Sequence, residues 1–155
     1  MLKEETVVVP AEWGGRDANK HFRITEMPAM KAEKWGMRAI LLLRGSGERV
    51  PDNVAGLGMV GVAILGINVF LRGEMRFTDL EPLLDEMMTC VKIIRDPRHP
   101  TVVTDIVSDS DIEEVQTRLW LRSEVLRLHT GFSPADALST LLDAIRAPAS
   151  TSQNA

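Results

Sequence analysis

The sequence contains no tyrosine and only one cysteine, and aromatic residues make up 5% of it. A single cysteine, Cys90, excludes a disulfide within the chain. Hydrophobic residues (45%) and charged residues (26%) are present in the proportions of globular proteins, which excludes the disordered class. The length of 155 residues predicts one domain. The 8 methionines either fill gaps in a core or provide an adaptable surface for loosely specified partners.

No combination of residues has the spacing of a catalytic or metal-binding motif. The 3 histidines are scattered, and neither an H-x-x-x-H pair nor a G-x-S-x-G stretch occurs. The stretch DSDIEE from Asp109 resembles a calcium loop, but Glu114 occupies the position of the essential turn glycine. Cys90 lies among apolar residues of a predicted helix, which favours a buried thiol over a nucleophile. We therefore predict no catalytic residue, no bound metal and no cofactor.

Charge is unevenly divided along the chain, whose formal net charge is −4. Residues 1–72 contain 10 Lys and Arg against 8 Asp and Glu, whereas residues 73–155 contain 8 against 14. This balance disfavours nucleic acid as a partner, because phosphate binding requires a concentrated basic surface. The opening stretch MLKEETVVVP has acidic residues where a signal peptide requires a basic flank. We expect a cytoplasmic protein.

Residues 54–71, VAGLGMVGVAILGINVFL, carry no charge and allow three interpretations. Gly56, Gly58 and Gly61 match the G-x-G-x-x-G fingerprint of dinucleotide-binding folds, but that fingerprint requires a strand leading directly into it, and turn residues precede it here. As a membrane span the segment is at the short limit, and no aromatic belt flanks it. We favour the third interpretation, a buried helix whose glycines let another helix approach. We therefore expect no membrane partner.

Hydrophobic periodicity predicts a mainly α protein, with about five helices packed in one bundle-like domain after a short N-terminal β-hairpin. The domain covers residues 1–146, with the hairpin at 5–27 and the helices at 28–146, and residues 147–155 form a disordered tail. Besides residues 54–71, the predicted helices begin at Pro28, near Thr78 or Pro82, near Ser110, and at Ser133. The stretch RDPRHPTVVTDIV predicts an extended connection or an edge strand.

The third helix has an uncertain start and a clear apolar face. Thr78 and Glu81 would form a capping box, but Pro82 would then remove an early helical bond, so Glu81 is the alternative cap. The apolar face consists of Leu80, Leu83, Leu84, Met87, Met88 and Val91.

The fourth helix carries the strongest signals in the chain. Ser110 and Glu113 fit a capping box, Glu114 is expected to pair with Arg118, and Gly131 is expected to end the helix. Acidic residues at the start, Asp111 among them, suit the positive end of the helix dipole. Two neighbouring apolar stripes predict burial on more than one side: Val115, Leu119 and Leu126 beside Leu121, Val125 and Leu128.

Four stretches together resemble a known group of proteins: DANKHFRITEMPAMKAEKWGMRA, PDNVAGLGMVGVA, DLEPLLDEMM and SDIEEVQTRLWLRSEVLRLHTGF. The chain resembles, over roughly residues 16–132, small prophage-encoded tail assembly chaperones of long-tailed bacteriophages. The resemblance implies a mostly helical, non-enzymatic protein of the host cytoplasm. It also implies that the protein coats the helical tape measure protein until tail tube subunits replace it. No catalytic or ligand residue follows from the resemblance.

Two further classes stay open: a structural virion component, such as a tail completion or connector protein, and a small enzyme. Purified phage would contain the first, and the second would need a pocket with convergent polar groups. The chain could also form a homo-oligomer.

The first helix, PAMKAEKWGMRAILLLRG, provides a candidate binding surface. Its apolar face is predicted to consist of Ala32, Trp35, Ala39 and Leu42. Lys31, Lys34 and Arg38 form a basic stripe on another face, which is either a solvated surface or part of a partner site. We predict that this stripe binds a tape measure helix together with apolar residues exposed on an adjoining helix.

Overall fold

The computed structural model describes residues 1–45 and 76–131. These two ranges contain four β-strands, three α-helices and one short 3-10 helix. The strands are β1 (Glu4–Val8), β2 (His21–Thr25), β3 (Val91–Ile94) and β4 (Thr104–Asp105). The α-helices are α1 (Ala29–Gly45), α2 (Phe77–Met88) and α3 (Val115–Thr130), and the 3-10 helix is Ala11–Trp13.

The strands form one antiparallel sheet in the order β1-β2-β3-β4. In the central strand β2, Phe22 and Ile24 are buried, whereas Arg23 between them is partly exposed. Because successive side chains of a strand point to opposite faces, the sheet has one apolar and one polar face. The register continues this division into β3, since Phe22 lies opposite Ile93 and Arg23 opposite Lys92.

The helices cover the apolar face of the sheet. α2 contacts both α1 and α3, and α3 also contacts β2. Trp35 of α1 is buried, and its indole N–H donates to the carbonyl oxygen of Leu83 in α2 at 3.0 Å. His129, in the last turn of α3, accepts the backbone N–H of Met27 through Nε2 at 2.8 Å. The core joins residues of the sheet and of all three helices, among them Phe22, Ile24, Trp35, Leu83, Met87, Ile93, Leu121 and Val125.

The predicted fold class, about five helices in one bundle-like domain, is wrong. The predicted hairpin is present as β1 and β2, but these strands belong to a four-stranded sheet. The third helix was predicted to continue to Val91, which instead begins β3. Val91 fits the helical spacing of the preceding apolar residues, yet it also starts the β-branched run VKII, and pairing with β2 decides between the two. The predicted edge strand is present as β4.

The two helices described between residues 76 and 131 do not begin at the capping residues that the sequence predicted. α2 begins at Phe77 with Arg76 as N-cap, so Pro82 lies inside the helix, and neither Thr78 nor Glu81 caps it. α3 begins at Val115, so the capping box of Ser110 and Glu113 is not formed. Since a carboxylate remote in sequence binds the amides before α3, a local cap is not required.

Other predictions for α3 are partly confirmed. Gly131 ends the helix in the left-handed conformation, with φ of 75°. The predicted pair of Glu114 with Arg118 is wrong: Nη2 of Arg118 lies 3.9 Å from Oδ1 of Asp85 in α2, and the carboxylate of Glu114 pairs with Arg16. Of the two apolar stripes, the one containing Leu121 and Val125 is buried, whereas Val115 and Leu119 of the other are exposed by 75% and 60%.

The glycine-bearing segment 54–71, the predicted helix from Ser133 and the predicted tail 147–155 lie outside the described residues. In the described parts of the chain, no helix is long and apolar enough to cross a membrane.

Candidate functional site

The outer face of α1 presents a row of exposed apolar side chains. Met30, Met37 and Leu41 are exposed by 69%, 58% and 65%. With Lys34 they follow the spacing i, i+4, i+7, i+11, which places all four side chains on one side of a helix. Trp35 and Ala39 are buried on the opposite side. We call the row Met30, Lys34, Met37 and Leu41 the α1 seam.

The three predicted partner-binding cations have different environments. Lys31 donates from Nζ to the hydroxyl oxygen of Thr89 at 2.9 Å, and Arg38 forms an ion pair with Glu86 of α2. Lys34 is exposed and contacts no acidic side chain among the described residues. Lys31 and Arg38 therefore fasten α1 to α2 and the turn after it, and Lys34 alone of the three stands within the apolar row.

Sequence reasoning missed the apolar members of this surface. It assigned only one apolar face to α1 and placed the exposed apolar residues on an adjoining helix. Phe77 of α2 is indeed 57% exposed, but the row around Lys34 belongs to α1 itself. The spacing of Met30, Met37 and Leu41 was a usable signal, because a helix with apolar residues on two opposite faces has a second surface to cover.

A buried carboxylate, Asp17, joins the β1–β2 connection to the start of α3. Its side chain is 1% exposed and accepts the backbone N–H of Glu113 at 3.0 Å, that of Glu114 at 2.8 Å, and Nζ of Lys20 at 2.6 Å. Burial raises the pKa of Asp17, but the hydrogen bonds from Lys20 and from the two amides outweigh burial and lower it. The carboxylate is therefore ionised and fully engaged in holding these segments together.

A second buried carboxylate, Asp111, has a similar structural role. Arg95 binds it through two nitrogens, with Nη2 at 3.0 Å from Oδ2, and the backbone amides of Val107 and Ser108 donate to the same oxygen at 3.0 Å. The hydrogen bond from Arg95 is the main cause that lowers the pKa of Asp111 to about 2. Such a carboxylate is a poor general base, since it holds a proton only in strong acid.

The described residues line two open clefts, one of 380 Å³ beside Asp111 and one of 470 Å³ beside Cys90. The smaller is lined by Arg16, Lys20 and Arg95 together with Asp111, and each of these cations already pairs with a carboxylate. The larger is lined in part by Cys90. Burial raises the pKa of the Cys90 thiol to about 11, so the thiol stays protonated and weakly nucleophilic.

Cys90 is buried as predicted, although it lies after α2 and not within a helix. Within residues 1–45 and 76–131, no group of three or more His, Cys, Asp or Glu side chains is arranged to hold a metal ion. The most distinctive surface of the described chain is therefore the α1 seam.

No protein-family model, curated protein or solved structure matches the chain.

Proposed function

We propose that the protein is a phage tail assembly chaperone. It binds the tape measure protein in the host cytoplasm during tail morphogenesis and carries out no catalysis. The α1 seam receives a helix of this client, and tail tube subunits later take the client over. The observation that carries the proposal is the row of exposed Met and Leu side chains on α1.

The side chains of the seam suit a helical client. Methionine is unbranched and flexible, so Met30 and Met37 can adapt to different apolar side chains. Amphipathic helices are recognised through apolar residues on one face, and an exposed apolar row on a folded domain provides the matching surface. A chaperone that coats a long helical client needs such tolerance more than it needs one shape-complementary pocket.

The sheet is compatible with this role although a mostly helical protein was expected. α1 is held by α2, through Trp35 bonded to Leu83 and through the pair of Arg38 with Glu86. Because the opposite side of α1 is packed in the core, the seam can be covered by a partner without unfolding the domain. A rigid platform loses little conformational entropy when a client binds.

Capture of tape measure fragments by the purified protein tests the proposal. The variant Met30→Ser/Met37→Ser makes the seam polar. Because two apolar contacts are lost, we expect its capture of the client to decrease by at least about tenfold. The matched control is Val102→Ser/Val107→Ser, which removes two apolar side chains that are also exposed, by 61% and 81%, but lie after β3. Circular dichroism verifies that both variants fold.

Undiminished capture by the folded seam variant would place the client site elsewhere. Failure of the wild-type protein to capture any fragment would contradict the chaperone role. If the protein were then found in purified phage particles, it would be a structural virion component.

A further inference from the structure

We propose that the α1 seam selects helices that place an acidic residue against Lys34. The inference rests on the proposed function, because it specifies the client helix of the same surface. The ligand of the seam is an amphipathic helix with an apolar row and a carboxylate at its centre.

The seam has the spacing of a coiled-coil contact. The intervals between its members are 4, 3 and 4 residues, as between alternating d and a positions of a heptad repeat. Met30 and Met37 then occupy d positions, and Lys34 and Leu41 occupy a positions. The row extends for about 17 Å along the helix axis. A partner helix would therefore lie along α1 and place its own apolar row over these four side chains.

Lys34 determines which helices can do so. It lies one turn from Met30 and one turn from Met37, so a helix that covers the row removes water from around its ammonium group. A charge that loses its water and gains no partner is costly. No acidic side chain of the described residues contacts Lys34, so within this part of the chain its ammonium group is available to a client carboxylate. A client helix with Glu or Asp at the facing position is favoured, and one with Lys or Arg is repelled.

The test uses synthetic helical peptides of three heptads with apolar a and d positions. One peptide carries Glu at the two central core positions, and the other carries Lys there, so that either helix orientation places one of these residues against Lys34. Binding to the full-length protein is measured by fluorescence anisotropy. We expect the wild-type protein to bind the Glu peptide at least about tenfold more tightly than the Lys peptide, and we expect the preference to weaken in high salt.

Two variants isolate the role of Lys34. Lys34→Glu should reverse the preference, and Lys34→Met should abolish it. The control Lys3→Glu makes the same charge change on an exposed lysine before β1, and we expect it to leave the preference unchanged. Binding of neither peptide by the wild type, or an unchanged preference in Lys34→Glu, would overturn the inference.

The outcomes also separate this inference from the proposed function. A protein that prefers the Glu peptide but captures no tape measure fragment has the inferred seam and a different client. A protein that captures tape measure fragments and discriminates neither peptide is a chaperone without the inferred selectivity.

Discussion

Replacing Asp17 with asparagine should destabilise the fold strongly although the two side chains have nearly the same shape. The carboxylate is buried and accepts hydrogen bonds from the amides of Glu113 and Glu114 and from Lys20. Asparagine has one acceptor oxygen and one NH₂ donor. Wherever the NH₂ group points, it meets another donor, so either Lys20 or the Glu114 amide loses its acceptor. Lys20 also loses the opposite charge nearest to it.

The magnitude follows from these contacts. Removing one member of a buried ion pair costs about 3–5 kcal/mol, because the other charge is left uncompensated. Lys20 is partly protected from this loss, since it also donates to the carbonyl oxygen of Ser110 at 2.7 Å and contacts Glu113 at 3.3 Å. We therefore expect the lower end of that range, about 3 kcal/mol, for Asp17→Asn. A domain is commonly stable by only about 5–15 kcal/mol, so the loss is a substantial share.

Urea unfolding followed by circular dichroism measures this change. The control Asp109→Asn makes the same chemical change at an exposed residue six positions before α3, and we expect it to alter the free energy of unfolding by less than about 0.5 kcal/mol. Native-state hydrogen exchange should show faster exchange of the Glu113 and Glu114 amides in Asp17→Asn only. If Asp17→Asn unfolds at the same urea concentration as the control, Asp17 does not hold α3 in place.

Three further perturbations test other contacts. Arg95 lowers the pKa of Asp111 from 3.8 to about 2, so the ionised carboxylate stabilises the fold above pH 3.8. As the pH falls from 3.8 to about 2, the free energy of unfolding measured in urea should decrease by about 2 kcal/mol in the wild type and not in Asp111→Asn. His129→Phe leaves the buried amide of Met27 without its acceptor and should cost about 1–3 kcal/mol in thermal unfolding, whereas His129→Gln should cost less. Gly131→Ala forces a side chain into the left-handed conformation and should lower the free energy of unfolding by about 1 kcal/mol; an unchanged value would contradict the C-cap assignment.

Local signals in the sequence were sufficient for some elements. The β-branched residues of β1 and β2, separated by a Gly- and Asn-containing connection, predicted a hairpin, and the pairing of Val7 with Phe22 lies within it. Helical spacing of Ala32, Trp35 and Ala39 predicted the buried face of α1, and these residues do pack in or against the core. In such cases the same few neighbouring residues decide both the backbone conformation and the face that is buried.

Local sequence signals predicted only part of the proposed client site. The sequence identified α1 and its cations, but it could not show that Arg38 would be engaged by Glu86 and Lys31 by Thr89, because both contacts join residues 48 to 58 positions apart. The spacing of Met30 and Met37 indicated a second apolar face of α1, but it could not show whether that face is packed or exposed. A methionine looks the same in a sequence whether it fills a core or faces a partner, and the elements packed around it decide.

The sequence by itself determined that helices form around residues 29–45, 77–88 and 115–130 and a hairpin at the start, since periodicity and turn signals act over a few residues. Only the tertiary structure decided that Val91–Ile94 is a strand, because its backbone pairs with β2, nearly 70 residues earlier in the chain. It likewise decided the start of α3, whose preceding amides are bound by Asp17, 96 positions away. The physical reason is the same in both cases: a backbone N–H must find an acceptor, and the acceptor can lie anywhere that folding brings close.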